Sequence, residues 1–307
     1  MEFTTAVPLA LTLTLSPLLL GIINRTKALV GGRNGPPLVQ PYYDLWKLLG
    51  KGAVYSRTTT WVFRAGPIVS LAGCVLAAAL VPLGSCGALI SFDGDLILLA
   101  YLLGLGRLCT VLAALDTGSP FEGMGASREV MFSALAEPAL LLGLAALARS
   151  TGAMSLTQIH FLLAEGGWAA SGMTLALVSV ALLVVFLSEN SRIPVDDPNT
   201  HLELTMIHEV MVLDHGGPDF AFILYGAAVK LWLLGALVVD LVLAGGTGSA
   251  VVDFALAVAS LLVLAVLVGL IESTMARLRM PRVPQLLVGA TALSGLALVL
   301  EYGGIGK

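Results

Sequence analysis

Trp168 to Ser188 reads WAASGMTLALVSVALLVVFLS, twenty-one residues without an ionisable side chain, closed by Glu189. As a helix it would be about 31 Å long, matching the hydrocarbon core of a bilayer. Its apolar side chains follow no strip one helical face wide, so every face of the helix meets an apolar medium. Runs of the same kind recur at about 3–23, 64–84, 95–115, 131–149, 219–243, 250–272 and 284–301, which makes eight in all. The fold class this predicts is all-α: a polytopic membrane protein of about eight transmembrane helices, with residues 1–307 forming a single integral membrane domain.

Composition agrees. Of 307 residues, 57% are hydrophobic and only 12% charged, whereas soluble domains carry about 25% charged residues. Mean hydropathy is +0.94 and the formal net charge is −4, with the signs interspersed. A nucleic-acid-binding protein, a disulfide scaffold and a disordered chain are excluded. Cys74, Cys86 and Cys109 stand far apart with no Cys-x-x-Cys pair, too few thiolates for an iron–sulfur cluster or structural zinc. Gly104 and Gly106 lie inside an apolar run, and no Walker loop is present, so nucleotide chemistry finds no support.

The basic residues orient the bundle. Seven follow the first run (Arg25, Lys27, Arg33, Lys47, Lys51, Arg57, Arg64), and Arg128, Arg192, Arg277, Arg279 and Arg282 follow the third, fifth and seventh; the opposite side holds only Arg149 and Lys307. Twelve against two places both termini outside and four loops in the cytoplasm, at about 24–63, 116–130, 189–218 and 273–283. Function is expected on that inner side, where the loops are long.

A charge in the hydrocarbon core costs about 2.5–3.5 kcal/mol on insertion scales, so each needs a partner or a role. Arg107, Glu137, Glu189 and Lys230 sit at similar depth on the inner halves of their spans, and a single paired, hydrated cluster is expected. The bland alternative is that Arg107 and Lys230 only neutralise the two glutamates and hold helices together. Glu137-Pro138 favours a relay, because proline deprives the helix of one backbone bond beside the carboxylate. Asp240, Asp253, Glu272 and Glu301 lie toward the ends of their spans and read as interfacial.

The inner loop Glu189-Asn190-Ser191-Arg192-Ile193-Pro194-Val195-Asp196-Asp197-Pro198-Asn199-Thr200-His201-Leu202-Glu203 carries the densest chemistry. Glu189 and Arg192 are close enough to pair if the helix continues. Asp197-Pro198 reads as an N-cap and first turn, starting a short helix through about Leu213 with His201 and His208 on one face. No metal site is expected from that spacing, and the histidines read as titratable relay groups or partner contacts. Around Pro41-Tyr42-Tyr43-Asp44-Leu45-Trp46-Lys47-Leu48-Leu49 an amphipathic helix at the membrane surface is predicted, with Asp44 and Lys47 as an i,i+3 pair. The stretch Asp116 to Glu129 reads as an ordered loop facing a partner.

These loops resemble the membrane subunit shared by respiratory complex I and the energy-converting membrane-bound nickel–iron hydrogenases. The resemblance lies in the turn from Arg33 to Pro36 with Asp44 and Lys47, in Glu137, in Glu189-Asn190-x-Arg192-x-Pro194-x-Asp196, and in Met275-Ala276-Arg277-Leu278-Arg279. Asp116 to Phe121 and Gly125 to Glu129 resemble the hydrogenase branch that includes formate hydrogenlyase subunit 4. Where that family has carboxylates this chain has Asn199, His201 and Met211, and His201 and His208 are expected to take over part of the relay.

The resemblance implies a membrane subunit, not catalytic alone, in a multi-pass arrangement in a prokaryotic cytoplasmic (inner) membrane. Its implied task is to dock the peripheral redox arm and couple electron transfer to proton or sodium translocation. The alternatives are a quinone-site subunit of an NADH dehydrogenase-type complex and a structural anchor without an ion path. Implied partners are the hydrogenase large and small subunits, iron–sulfur proteins, antiporter-like membrane subunits and the lipid bilayer, with no nucleic acid. No cofactor is expected in this chain; iron–sulfur clusters and a nickel–iron site are expected on partner chains. The coupling path is expected to use Glu137, Glu189, Asp196, Glu203, His201, His208, Arg107, Arg192 and Lys230. Docking is expected at Arg33, Asp44, Lys47, Asp116, Glu122, Arg128, Glu129, Arg277 and Arg279.

Overall fold

The computed structural model describes residues 2–196 and 206–303. Among them are ten α-helices: α1 (Glu2–Val30), α2 (Gln40–Leu49), α3 (Trp61–Ala78), α4 (Asp95–Asp116), α5 (Pro120–Thr151), α6 (Leu156–Ala164), α7 (Gly167–Glu189), α8 (Gly217–Val242), α9 (Ala250–Thr274) and α10 (Val283–Gly303). Eight spans are long and apolar enough to cross a membrane, at the places the hydropathy predicts. The chain is a multi-pass membrane protein.

Side chains such as Tyr101, Leu108 and Val263 lie exposed on the flanks of α4 and α9, as lipid-facing residues do. The middle is α8, whose apolar stretch is 67% buried, against 28–44% for the other spans. Trp232, Leu231 and Leu233 fill its centre. α1 packs on α8 and α9, α3 on α4 and α8, and α10 on α5 and α7.

Pro17 inside α1 has no N–H for the Leu13 carbonyl four residues earlier, and the Tyr225 hydroxyl of α8 donates to that oxygen at 2.7 Å instead. The Tyr42 hydroxyl of α2 donates to the next carbonyl, Thr14, at 2.5 Å. One neighbour thus binds the carbonyl that the proline leaves free, and the other binds the carbonyl beside it.

α2 is the amphipathic helix the sequence predicts, with no buried residue and Trp46 and Tyr43 exposed. Asp44 accepts from Gln40 at 2.8 Å rather than pairing with Lys47. The structure departs from expectation in the loops that the sequence reading places inside. α5 starts at Pro120, with proline in its favoured first turn, so the stretch read as a loop over 116–130 is reduced to the turn between Asp116 and Pro120. Asp197, His201 and Glu203 lie outside the described residues. The helix expected to reach Leu213 does not do so: Met206 to His208 is a turn and Glu209–Val212 a single 3₁₀ turn. That segment lies flat on α5 because Gly125 has no side chain; a Cβ there would stand 2.2 Å from Val210 Cγ1 and 2.8 Å from the Ile207 carbonyl oxygen. The short helix α6, between α5 and α7, was not foreseen.

Candidate functional site

Three buried ion clusters lie at one end of the bundle. In the first, Arg107 of α4 joins α5 and α7: its Nη2 is 2.6 Å from Glu137 Oε1 and its Nη1 is 2.6 Å from Glu189 Oε1. Lys230 of α8 approaches Glu189 Oε2 at 3.8 Å. The four intramembrane charges therefore form one cluster on four spans, as expected from their depth. Arg107 is the hub, and a guanidinium does not give up its proton, so the exchangeable groups are the two carboxylates and the Lys230 ammonium. Glu189 is buried, while the Glu137 side chain is 47% exposed.

The expected Glu189–Arg192 pair does not form. α7 stops at Glu189, and Ser191 turns the chain at φ 53°, which points Arg192 elsewhere. The second cluster receives it: Arg192 Nη1 lies 3.3 Å from Glu272 Oε1, and Lys27 Nζ lies 2.7 Å from Glu272 Oε2. Glu272, read from sequence as interfacial, has a fully buried side chain that ties α1, α9 and the turn after α7 together. Its burial shows only once α1 extends past Lys27.

In the third cluster, His208 Nε2 lies 3.0 Å from Glu129 Oε2 and its Nδ1 3.5 Å from Asp196 Oδ2, while Arg277 Nη2 lies 2.8 Å from Asp196 Oδ1. Arg128 donates to the Met206 carbonyl at 3.0 Å. Burial by itself would depress the His208 imidazole, but the Glu129 and Asp196 carboxylates outweigh it and hold it up to about 9. His208 is thus a cation at neutral pH. Lys230 also acts on it, in the opposite sense, which places the first and third clusters within electrostatic reach of each other.

Residues expected at a docking surface divide. Arg33, Asp44, Lys47 and Arg279 are exposed. Asp116 instead caps α3, accepting from the Thr60 backbone N–H at 2.6 Å and from its hydroxyl at 2.9 Å. Glu122 is buried and accepts from the Asp214 N–H at 3.3 Å; Glu129 is buried against His208. These acids face inward because residues 120–130 are helix, which turns one side of the stretch toward the segment around Val210. Nearby, His215 stacks on Phe63 with ring centroids 3.9 Å apart, and burial lowers its imidazole. Among the described residues no three His, Cys, Asp or Glu side chains converge as a metal would need.

The arrangement can store and move charge: carboxylates shared between fixed cations change their proton occupancy when the field or the loop position beside them changes. Comparison with known proteins agrees with a membrane subunit. The sequence profile described as NADH dehydrogenase matches residues 3–301. Formate hydrogenlyase subunit 4 of Escherichia coli (strain K12) is 31% identical over 295 residues, covering 92% of this chain and 93% of that protein. Hydrogenase-4 component C of the same organism is 31% identical over 299 residues, covering 95% and 93%. An NADH-quinone oxidoreductase subunit of Anaplasma phagocytophilum (strain HZ) is 28% identical over 239 residues, covering 69% and 67%. A chain in the structure of the membrane-bound sulfane sulfur reductase, an archaeal respiratory membrane complex, superposes with a TM-score of 0.84 at 21% identity, over 97% of this chain and 98% of that one, which shows a shared fold.

Proposed function

Since this chain belongs to the NADH dehydrogenase family, we propose that it is the membrane subunit of a hydrogenase-type complex related to respiratory complex I. In this reading it docks a peripheral redox arm and couples electron transfer to proton or sodium translocation in a prokaryotic inner membrane, with both termini outside. Formate hydrogenlyase subunit 4 and hydrogenase-4 component C are each matched along nearly their whole length, whereas the match to the NADH-quinone oxidoreductase subunit covers about two thirds, which favours the hydrogenase branch over the quinone-site reading.

The observation that carries the coupling role is the Arg107 cluster. One guanidinium holds two carboxylates from different spans at 2.6 Å each, and the same end of the bundle presents the His208 cluster. A change of charge in the docked arm would alter the field at Glu189 and at the segment pinned by Asp196 and His208, and Glu137 and Glu189 would exchange protons in response. Exposed Arg33, Asp44, Lys47 and Arg279 supply contacts for the arm; iron–sulfur clusters and a nickel–iron site would sit on its chains, with antiporter-like subunits alongside in the membrane. Extraction in mild detergent, followed by identification of the accompanying polypeptides and their metals, tests the assignment. Nickel- and iron-bearing partners should accompany the chain; purification of the chain alone, without redox partners, would contradict it.

A further inference from the structure

The opposite end of the bundle holds a buried ionisable pair that the coupling path does not use. His160 of α6 and Asp240 of α8 face each other with Nδ1 and Oδ2 3.5 Å apart, their side chains only 12% and 10% exposed. The other ring nitrogen, Nε2, contacts the Gly84 carbonyl oxygen. That carbonyl is fixed: Gly84 has φ +58°, and a Cβ there would stand 2.8 Å from Phe254 Cα, so the turn is wedged against α9. A carbonyl only accepts, so Nε2 carries a hydrogen. When the site holds its proton, Nδ1 either carries a second hydrogen and faces an ionised Asp240, or presents a lone pair to a protonated one. In both of these states the proton lies between the two side chains.

Beside the pair is a cavity of about 30 Å³, to which only His160 and Asp240 contribute ionisable groups; Pro82 and leucine and isoleucine side chains of α5 to α8 make the rest of its wall. That volume accommodates a water molecule. The Gly84 backbone N–H also acts on the Asp240 carboxylate, and Oδ2, which has no hydrogen bond of good geometry from the described residues, can accept from that water. The nearest acid on the α9 side, Asp253, is turned away, its carboxylate accepting from the Thr247 backbone N–H at 2.8 Å and hydroxyl at 2.6 Å. Asp240 lies ten residues beyond Lys230 on α8, about 15 Å along the axis, so the pair is separate from the Arg107 cluster.

We propose that His160 and Asp240 form a proton-exchange site at the end of the bundle remote from the Arg107 cluster, passing a proton to and from water in the adjoining cavity. Release leaves the Asp240 carboxylate and a neutral imidazole protonated at Nε2; uptake restores the shared proton, and no electron moves.

Dicyclohexylcarbodiimide, which reacts with protonated carboxyl groups in apolar surroundings, reads the site without turnover, so it stands or fails apart from the coupling role. The probe is applied to sealed vesicles of either orientation carrying the intact complex, and Asp240 modification is read by peptide mass spectrometry. Labelling should fall by about tenfold or more as pH rises from about 6 to about 9 in the compartment at the α6 end, and should ignore the other compartment. In His160→Gln the fall in labelling should move to higher pH, because the buried Asp240 carboxylate loses the imidazolium that favours its ionised form. Absence of labelling at any pH, labelling indifferent to pH on the α6 side, or an unchanged profile in His160→Gln would overturn the proposal.

Discussion

Replacing Arg107 by Met removes the cation that Glu137 and Glu189 share. Breaking a buried ion pair by deleting one partner costs about 3–5 kcal/mol, because a charge is left without compensation. Two features place Arg107→Met at the low end. The Glu137 side chain is 47% exposed and so only partly desolvated, and Lys230 still stands 3.8 Å from Glu189. A loss of about 3 kcal/mol raises the open population about a hundredfold. Cys74 reports it: this thiol is buried on α3, which packs along α4, and it reacts with maleimide only when the bundle opens. Its alkylation in the detergent-extracted complex, followed by mass spectrometry of its peptide, should quicken about a hundredfold in Arg107→Met. The double variant Arg107→Met with Glu137→Gln removes one positive and one negative charge and leaves Lys230 and Glu189 matched, so most of the loss should be recovered. A single variant within about 0.5 kcal/mol of wild type, or a double variant as damaged as the single, would refute the hub role of Arg107.

Two histidines should give stability opposite dependences on pH. The His208 imidazole, raised to about 9, contributes fully below its unfolded value of 6.5 and loses that contribution as pH climbs through about 9; His215, lowered by burial, contributes fully above 6.5 and loses it as pH falls. Cys74 alkylation at each pH, divided by the rate for the same thiol in the unfolded chain so that its own ionisation cancels, should therefore lose its alkaline limb in His208→Gln and its acid limb in His215→Phe, which keeps a ring stacked on Phe63; limbs that persist in both variants would show other groups to be responsible. Gly125→Ala drives a Cβ into Val210 and the Ile207 carbonyl and should cost about 1–3 kcal/mol locally, speeding amide hydrogen exchange over residues 206–215 by about ten- to a hundredfold while Cys74 is unaffected. Unchanged exchange there would mean that the segment does not rest on α5 as described.

Spans were legible because length and hydropathy are local properties, and Trp168 to Ser188 needs no knowledge of its neighbours to be read. The Arg107 cluster was legible for a related reason: four charges at one depth in lipid have few options besides one another. What hydropathy hid was the polar first turns of α5, since a helix that packs Glu122 and Glu129 inward looks like a loop when only apolar runs are counted. Partner choice was hidden as well. Arg192 is three residues from Glu189 yet binds Glu272, eighty residues away, because a single residue at positive φ re-aims it. His160 carried no signal, standing in a nine-residue helix too short for a span and facing an aspartate that reads as interfacial until the turn at Gly84 covers it.

The proposed coupling has Glu137 and Glu189 exchanging protons in step with electron transfer. Ion movement per electron, recorded in vesicles carrying the assembled complex with Glu137→Gln or Glu189→Gln, tests it most directly. Electron transfer and assembly should survive while ion movement is lost in at least one variant; ion movement equal to wild type in both would contradict the account.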